Sequence, residues 1–183
     1  MARFLNATLL LLFACSLAGC YGMLHDQLSY TVGPEYFTKF KFPQFRVAHG
    51  TPPRLGAALV GWQATWWMGL AMGALLIFAG MLTRTNRQFV VVVLKSYLVA
   101  LGTTLVVSLA SLAMAFLLIH EAPRNPLEIQ GRLIDDPVRF YRVAMMHNFS
   151  YLGGMIGTIA GLSITYRSIV AQPPLTPVAS RSG

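Results

Sequence analysis

Apolar residues dominate four long stretches of the chain, at about 5–24, 56–82, 89–119 and 143–170, and the polar positions collect in three connections and a tail. Each stretch is near or above the roughly 20 residues that a helix needs to cross about 30 Å of hydrocarbon. The pattern predicts an all-α membrane protein, a four-helix transmembrane bundle filling residues 1–171. All six acidic residues and all ten prolines fall outside the four stretches. Four crossings return the first and third connections to the same side of a bilayer, so the acids and most histidines gather on one face. Within the first connection, residues 28–32 alternate apolar and polar and are rich in β-formers, which predicts a short extended segment ending at Gly33 and Pro34. Aromatic residues interleaved with lysines follow, from Glu35 to Phe45, the composition of an interfacial belt. The third connection, 121–142, has the mixed charges and prolines of a solvated loop, and 172–183 reads as a disordered Pro/Ser-rich tail. Asp136 before Pro137 predicts a helix start, the carboxylate capping free amides and proline occupying the first turn.

Composition agrees with the pattern: 55% of residues are hydrophobic, 11% are charged, and the mean hydropathy is +0.58. A soluble domain would carry about a quarter charged residues. The formal net charge is +8, but the basic residues flank the apolar stretches rather than forming a stripe that could follow a phosphate backbone, so no nucleic-acid partner is expected. Membrane lipid is the expected surface, with another membrane protein or a second copy of the chain as the further partner. Two cysteines, Cys15 and Cys20, lie five apart on the first predicted helix and cannot pair there. Leu17, Ala18, Gly19 and Cys20 also resemble a lipoprotein cleavage site, which would make Cys20 a lipidation site; the preferred reading is an uncleaved helix whose small residues pack against neighbours.

Orientation rests on the short second connection, 83–88, which carries Arg84 and Arg87 with no acid. That density places it in the cytoplasm of a bacterial inner membrane, with both ends inside and the loop between the first two spans extracytoplasmic. The bare count opposes this: the first and third connections hold eight Lys and Arg against six elsewhere.

Glycines mark the helix faces meant for close packing. Gly69 and Gly73 form a G-x-x-x-G step in the second span, and Gly154, Gly157 and Gly161 share a face with His147 and Ser150 in the fourth. Packing those two grooved faces together would bring His147 near Trp62 and Thr65. Ser108 and Ser111 in the third span read as mild polar groups satisfied by their own helix.

Several short elements share a known pattern. His25, Asp26 and Gln27 follow Tyr21; Glu35, Tyr36, Phe37 and Thr38 come next; Trp62, Ala64, Thr65, Trp66, Trp67 and Gly69 form a third group, and His147, Asn148, Ser150, Tyr151, Gly153 and Gly154 a fourth. Together they resemble an uncharacterised family of bacterial membrane proteins that carry H-D-Q, E-Y-F-T, W-x-A-T-W-W-x-G and H-N-x-S-Y-x-G-G elements. The resemblance implies a four-span membrane protein and brings no activity, substrate or cofactor with it; Cys20 is not part of the pattern.

One candidate cluster remains: His25, Asp26 and Glu35 from the first connection and His147 from the fourth span, with His120 and Glu121 as additions. Imidazoles and carboxylates suit zinc, iron or manganese and can also pass protons. No H-E-x-x-H spacing, phosphate loop or nucleophile elbow is present. The favoured reading is a structural or accessory bundle rather than an enzyme, with no cofactor. Its alternative is a membrane-embedded metal-dependent enzyme or ion-handling protein that binds a divalent metal through the cluster.

Overall fold

The computed structural model describes residues 1–122 and 124–171, so the tail expected at 172–183 lies outside the described residues. The elements in chain order are α1 (Ala2–Val32), a π-helical turn (Tyr36–Lys41) running into the short α2 (Phe42–Gln44), α3 (Pro53–Gly80), α4 (Asn86–Leu118), a hairpin of β1 (Glu128–Ile129) and β2 (Arg132–Leu133), and α5 (Pro137–Val170). Three helices, α1, α3 and α4, are long and apolar enough to cross a membrane. α5 is as long, 34 residues, but more polar.

Glycine decides how these helices pair. A Cβ added to Gly22 of α1 would run into the Gly61 carbonyl of α3, and one added to Gly61 would strike Gly22 in return. Further along the same seam Gly69 meets the backbone of Ala14, and Thr65 Oγ1 donates to the Ala18 carbonyl at 2.8 Å. The opposite seam joins α4 to α5. Here a Cβ on Gly157 would lie 2.7 Å from Ala100 O and one on Gly153 3.0 Å from Thr104 Cα, and Ser96 Oγ donates to Gly161 O at 2.9 Å. In an apolar medium, association depends on such close packing and interhelical hydrogen bonds, because hydrocarbon is as apolar as leucine. The bundle is therefore two tight antiparallel pairs, α1 with α3 and α4 with α5, meeting along a looser seam.

This corrects the expectation that the glycine faces of the second and fourth spans pack on each other. A small-residue groove announces a close neighbour without saying which; Ala14, Ala18 and Gly22 make α1 the better match for α3. Toward α3, Gly154 and Gly161 meet side chains rather than backbone: added Cβ atoms would lie 3.4 Å from Met72 and 3.2 Å from Leu76.

Both ends of the bundle are tied by polar contacts. At one, Arg3 donates to Thr83 O at 2.6 Å and Gln88 donates to Ser168 O at 3.1 Å, joining the start of α1, the turn after α3, the start of α4 and the end of α5. At the other, Gln27 donates to Arg54 O at 2.9 Å, and Arg142 donates to Ile119 O at 2.8 Å, satisfying a carbonyl left free at the end of α4. The connections 33–52 and 119–136 accordingly share one end of the bundle.

Two local expectations are overturned there. Residues 28–32 are the last turn of α1 rather than an extended segment: Thr31 Oγ1 donates to Gln27 O at 2.9 Å and Ser29 is wholly buried. Packing outweighs the β preference of these residues, since the extra turn carries Gly33 against the Arg139 carbonyl of α5. The aromatic segment is likewise not a surface belt throughout. Tyr36 and Phe37 are buried with Val60, Ile134, Phe140 and Val143 in a second hydrophobic core that caps this end. The loop before α5 also carries more order than expected, its hairpin turning at Gln130 and Gly131, both at positive φ. Asp136 caps α5 as the sequence implies, accepting from Arg139 N at 3.0 Å.

Candidate functional site

Beneath the capping core, α1 presents two adjacent ionisable residues to the seam between the helix pairs. His25 and Asp26 are both buried, and α5 supplies His147 from the opposite pair. Asp26 Oδ1 lies 3.0 Å from His25 Nδ1 and 3.1 Å from His147 Nε2, so one carboxylate oxygen faces a ring nitrogen of each histidine. The outer nitrogens are held as well: His147 Nδ1 lies 3.0 Å from Val143 O, and His25 Nε2 3.1 Å from Ser108 Oγ on α4. Tyr21 OH pairs with Ser150 Oγ at 3.0 Å beside them, a second bridge from α1 to α5. Tyr36 packs against the His147 ring at 4.7 Å, centroid to centroid, with the ring planes tilted by 39°.

Hydrogen-bond roles follow from these partners. The Val143 carbonyl can only accept, so His147 Nδ1 carries hydrogen and a neutral His147 has a bare lone pair at Nε2. That lone pair points at a carboxylate oxygen, which has no hydrogen to offer when ionised. Two acceptors 3.1 Å apart repel each other, so a positive centre belongs between them: a proton on one of the two atoms, or a metal ion. Ser108 suits either case, because its hydroxyl can donate to His25 Nε2 or accept from it.

The three candidate ligand atoms all lie within 4.8 Å of one another. With metal bonds of about 2.1 Å, oxygen-to-nitrogen edges of 3.0 and 3.1 Å correspond to ligand–metal–ligand angles of about 90°. That is the angle between neighbouring ligand positions of an octahedron, with Asp26 Oδ1 adjacent to each histidine. The outer contacts have the form expected around a metal-binding histidine, whose second nitrogen is held by a carbonyl or another acceptor that fixes the ring.

A cavity of about 20 Å³ opens beside the three residues, bounded also by Lys41, Val60, Thr65 and Tyr151. It is large enough for one water-sized group. Lys41 reaches it from the π-helical turn, its ammonium 4.7 Å from the Phe40 ring centre. Burial holds the Lys41 pKa below the ordinary lysine value against the opposing pull of Asp26, while burial raises that of the Tyr36 hydroxyl.

Glu35 does not join the cluster. It accepts from Asp136 N at 2.8 Å and pairs with Lys39, which also bonds Asp135 and donates to Leu133 O at 2.8 Å. These contacts latch the π-helical turn to the hairpin and the start of α5. Asp135 holds the Lys39 pKa up, with Glu35 adding to it, and Lys39 in return holds that of Asp135 down. His120 bonds the Leu117 carbonyl at the exposed end of α4, and Glu121 is exposed. Cys20 is exposed along α1, and Trp62 lies against Gly19 rather than near His147.

Sequence reasoning missed Ser108, Tyr21 and Ser150 as parts of the site. Ser108 is fully buried, yet a serine within an apolar helix gives no sign of whether its hydroxyl bonds its own backbone or a neighbour. No family model, no curated protein and no solved structure matches this chain.

Proposed function

We propose that this chain is a metal-dependent integral membrane protein in which His25, Asp26 and His147 bind one divalent transition-metal ion. The observation that carries the proposal is the convergence of two histidine nitrogens on one Asp26 oxygen, with His147 Nε2 at 3.1 Å from it and His147 Nδ1 committed to a carbonyl, an arrangement that a metal ion or a proton completes. Two imidazoles and a carboxylate suit iron, manganese or zinc. Three protein ligands leave positions open toward the small cavity, whereas purely structural zinc sites are closed by four. An ion with open positions acts on a bound ligand, as a Lewis acid or a redox centre. Burying three ionisable residues within a membrane bundle is costly, and such residues commonly mark function.

In this reading α5 is the fourth span, both termini face the cytoplasm of a bacterial inner membrane, and the site lies near the outer surface under the 33–52 connection. α1 is retained whole, in keeping with the burial of Leu10 and Ala14 and the bond of Arg3 to the turn after α3. The shared motif elements support a place in the four-span family they resemble.

A structural reading, an accessory bundle contacting lipid or a partner membrane protein, has its own support: with one proton between Asp26 and His147 every polar group of the centre is satisfied. Metal analysis separates the two. Purified protein reconstituted with Fe²⁺, Mn²⁺ or Zn²⁺ should retain about one ion per chain, and His147→Ala and His25→Ala should reduce the affinity at least a hundredfold. Stoichiometry no higher than in the His147→Ala variant would leave the structural bundle as the answer.

A further inference from the structure

The small cavity beside the metal ligands is the polar end of a larger one. A cavity of about 120 Å³ lies at the centre of the bundle, lined by all four long helices, with Leu17, Met68, Met72 and Leu101 among its apolar walls. Tyr21, Thr65, Ser150 and Tyr151 line both cavities, so the two adjoin through a collar of hydroxyl-bearing side chains. Apolar cavities of this size stay dry and accept apolar guests. The glycine contacts explain the shape: they draw α1 onto α3 and α4 onto α5, leaving the space where the two pairs face each other.

Resting on the metal reading above, we propose that the site's ligand is a single-chain carboxylate amphiphile, its hydrocarbon chain in the central cavity and its carboxylate at the metal and Lys41. Charge selects the head group. A divalent ion with neutral His25 and His147 and ionised Asp26 leaves one positive charge, and Lys41 adds another. Lys41 bonds Gln44 and lies over aromatic rings, and among the described residues no carboxylate pairs with it. Two positive charges in a partly dry pocket call for an anion. The polar cavity, about 20 Å³, has room for one carboxylate oxygen, the other facing the hydroxyl collar, and none for a phosphodiester with its glycerol. A half-open space of about 120 Å³ between four helices has room for one chain at most, not the two of a bilayer phospholipid. Together these features specify a fatty-acid-like ligand.

Cobalt reports on both levels of the proposal. The full chain in lipid nanodiscs, loaded with Co²⁺ and titrated with dodecanoate, should show visible d–d bands that shift saturably. Dodecanol should bind at least tenfold more weakly, and dodecyl phosphate should not match dodecanoate. Leu101→Trp, which fills the central cavity, should keep the Co²⁺ bands and lose at least tenfold in dodecanoate affinity. Lys41→Gln should keep the bands and narrow the preference for dodecanoate over dodecanol. Bands that do not respond to dodecanoate, or respond equally in Leu101→Trp, would overturn the amphiphile proposal and leave the metal site standing. Absence of the bands would overturn both. Tighter binding of dodecyl phosphate than of dodecanoate would reject the carboxylate assignment.

Discussion

Replacing Asp26 by asparagine or by alanine separates the charge of the centre from its hydrogen bonding. Asp26 is 3% exposed and serves two ring nitrogens through one oxygen. In metal-free protein the alanine variant leaves both nitrogens without a partner. Two hydrogen bonds to a charged group at about 1.5–3 kcal/mol each are consistent with the roughly 3–5 kcal/mol lost when one partner of a buried ion pair is removed. Asparagine behaves differently. Its amide nitrogen can turn toward the histidines and donate to the bare Nε2 of His147 and to His25 Nδ1, while His25 Nε2–H donates to Ser108. All partners are then satisfied with no net charge, and the expected cost is about 1 kcal/mol or less, since a neutral replacement of matching shape spares the desolvation of ions. For a chain of this size 1 kcal/mol moves the melting temperature by about 2–4 °C. Thermal unfolding of chelator-treated protein in detergent should therefore show a loss of roughly 6–20 °C for Asp26→Ala and about 4 °C or less for Asp26→Asn. Both variants should fail to bind metal. If asparagine lowers the transition as far as alanine does, the ion pair itself holds the apo centre together and the neutral-network argument is wrong.

Two further results follow from the packing and the latch. Gly61→Val should be destabilising by at least the roughly 1–3 kcal/mol of an overpacked contact, because its Cβ meets the Gly22 carbonyl; Gly102→Ala, with nothing within 4 Å, should be neutral or stabilising by about 0.5–1 kcal/mol. Thermal scans of the pair test the assignment, and equal losses would contradict it. The latch should depend on pH at its two limits. Asp135 has its pKa lowered on folding, so its contribution is present above the usual carboxylate range and is lost as pH falls through the depressed value; Lys39, raised on folding, contributes below the usual lysine range and loses its contribution as pH climbs through the elevated value. A nitroxide at position 38, with Cys15 and Cys20 replaced, should stay immobile between these limits and loosen on acidification, and Lys39→Met should make it mobile at every pH.

The helices were legible because membrane hydrocarbon imposes a length and an apolar composition that few other structures share. Their pairing was not. Gly69 and Gly73 declare that a backbone comes near, but the identity of that backbone depends on the small residues of every other helix at the same depth, and α1 offers Ala14, Ala18 and Gly22. The end of α1 was misjudged for a similar reason: Leu28 to Val32 alternate as a strand would, and only the approach of Gly33 to Arg139 rewards continuing the helix. For the cluster, the even number of long helices places His25, Asp26, Glu35 and His147 at one end of the bundle. Which of them converge is set by one helical turn. His25 and Asp26 still lie on α1 and face the seam, while Glu35, beyond Gly33, is captured by Lys39 and the amide of Asp136.

The position of the centre ties the two helix pairs together. Within each helix pair, glycine brings backbones together and needs no further help; between pairs, the seam is looser and contains the central cavity. His25 and Asp26 belong to one pair, and Ser108 and His147 to the other, so each contact of the centre except that between His25 and Asp26 or within α5 joins the two halves. A cation bound here, as proposed, would draw α1 toward α5; without it Tyr21 with Ser150, and Tyr97 with Leu10 and Gly73, are among the polar ties across the same seam. Occupancy by the proposed ion would then be coupled to how closely the pairs approach, since an ion that binds the joined arrangement better than the parted one must favour it by that same difference in free energy. The same closure would narrow the cavity around the proposed chain, so that on this proposal metal affinity and amphiphile affinity are interdependent, and dodecanoate should raise the affinity for Co²⁺ in the native chain but not in Leu101→Trp.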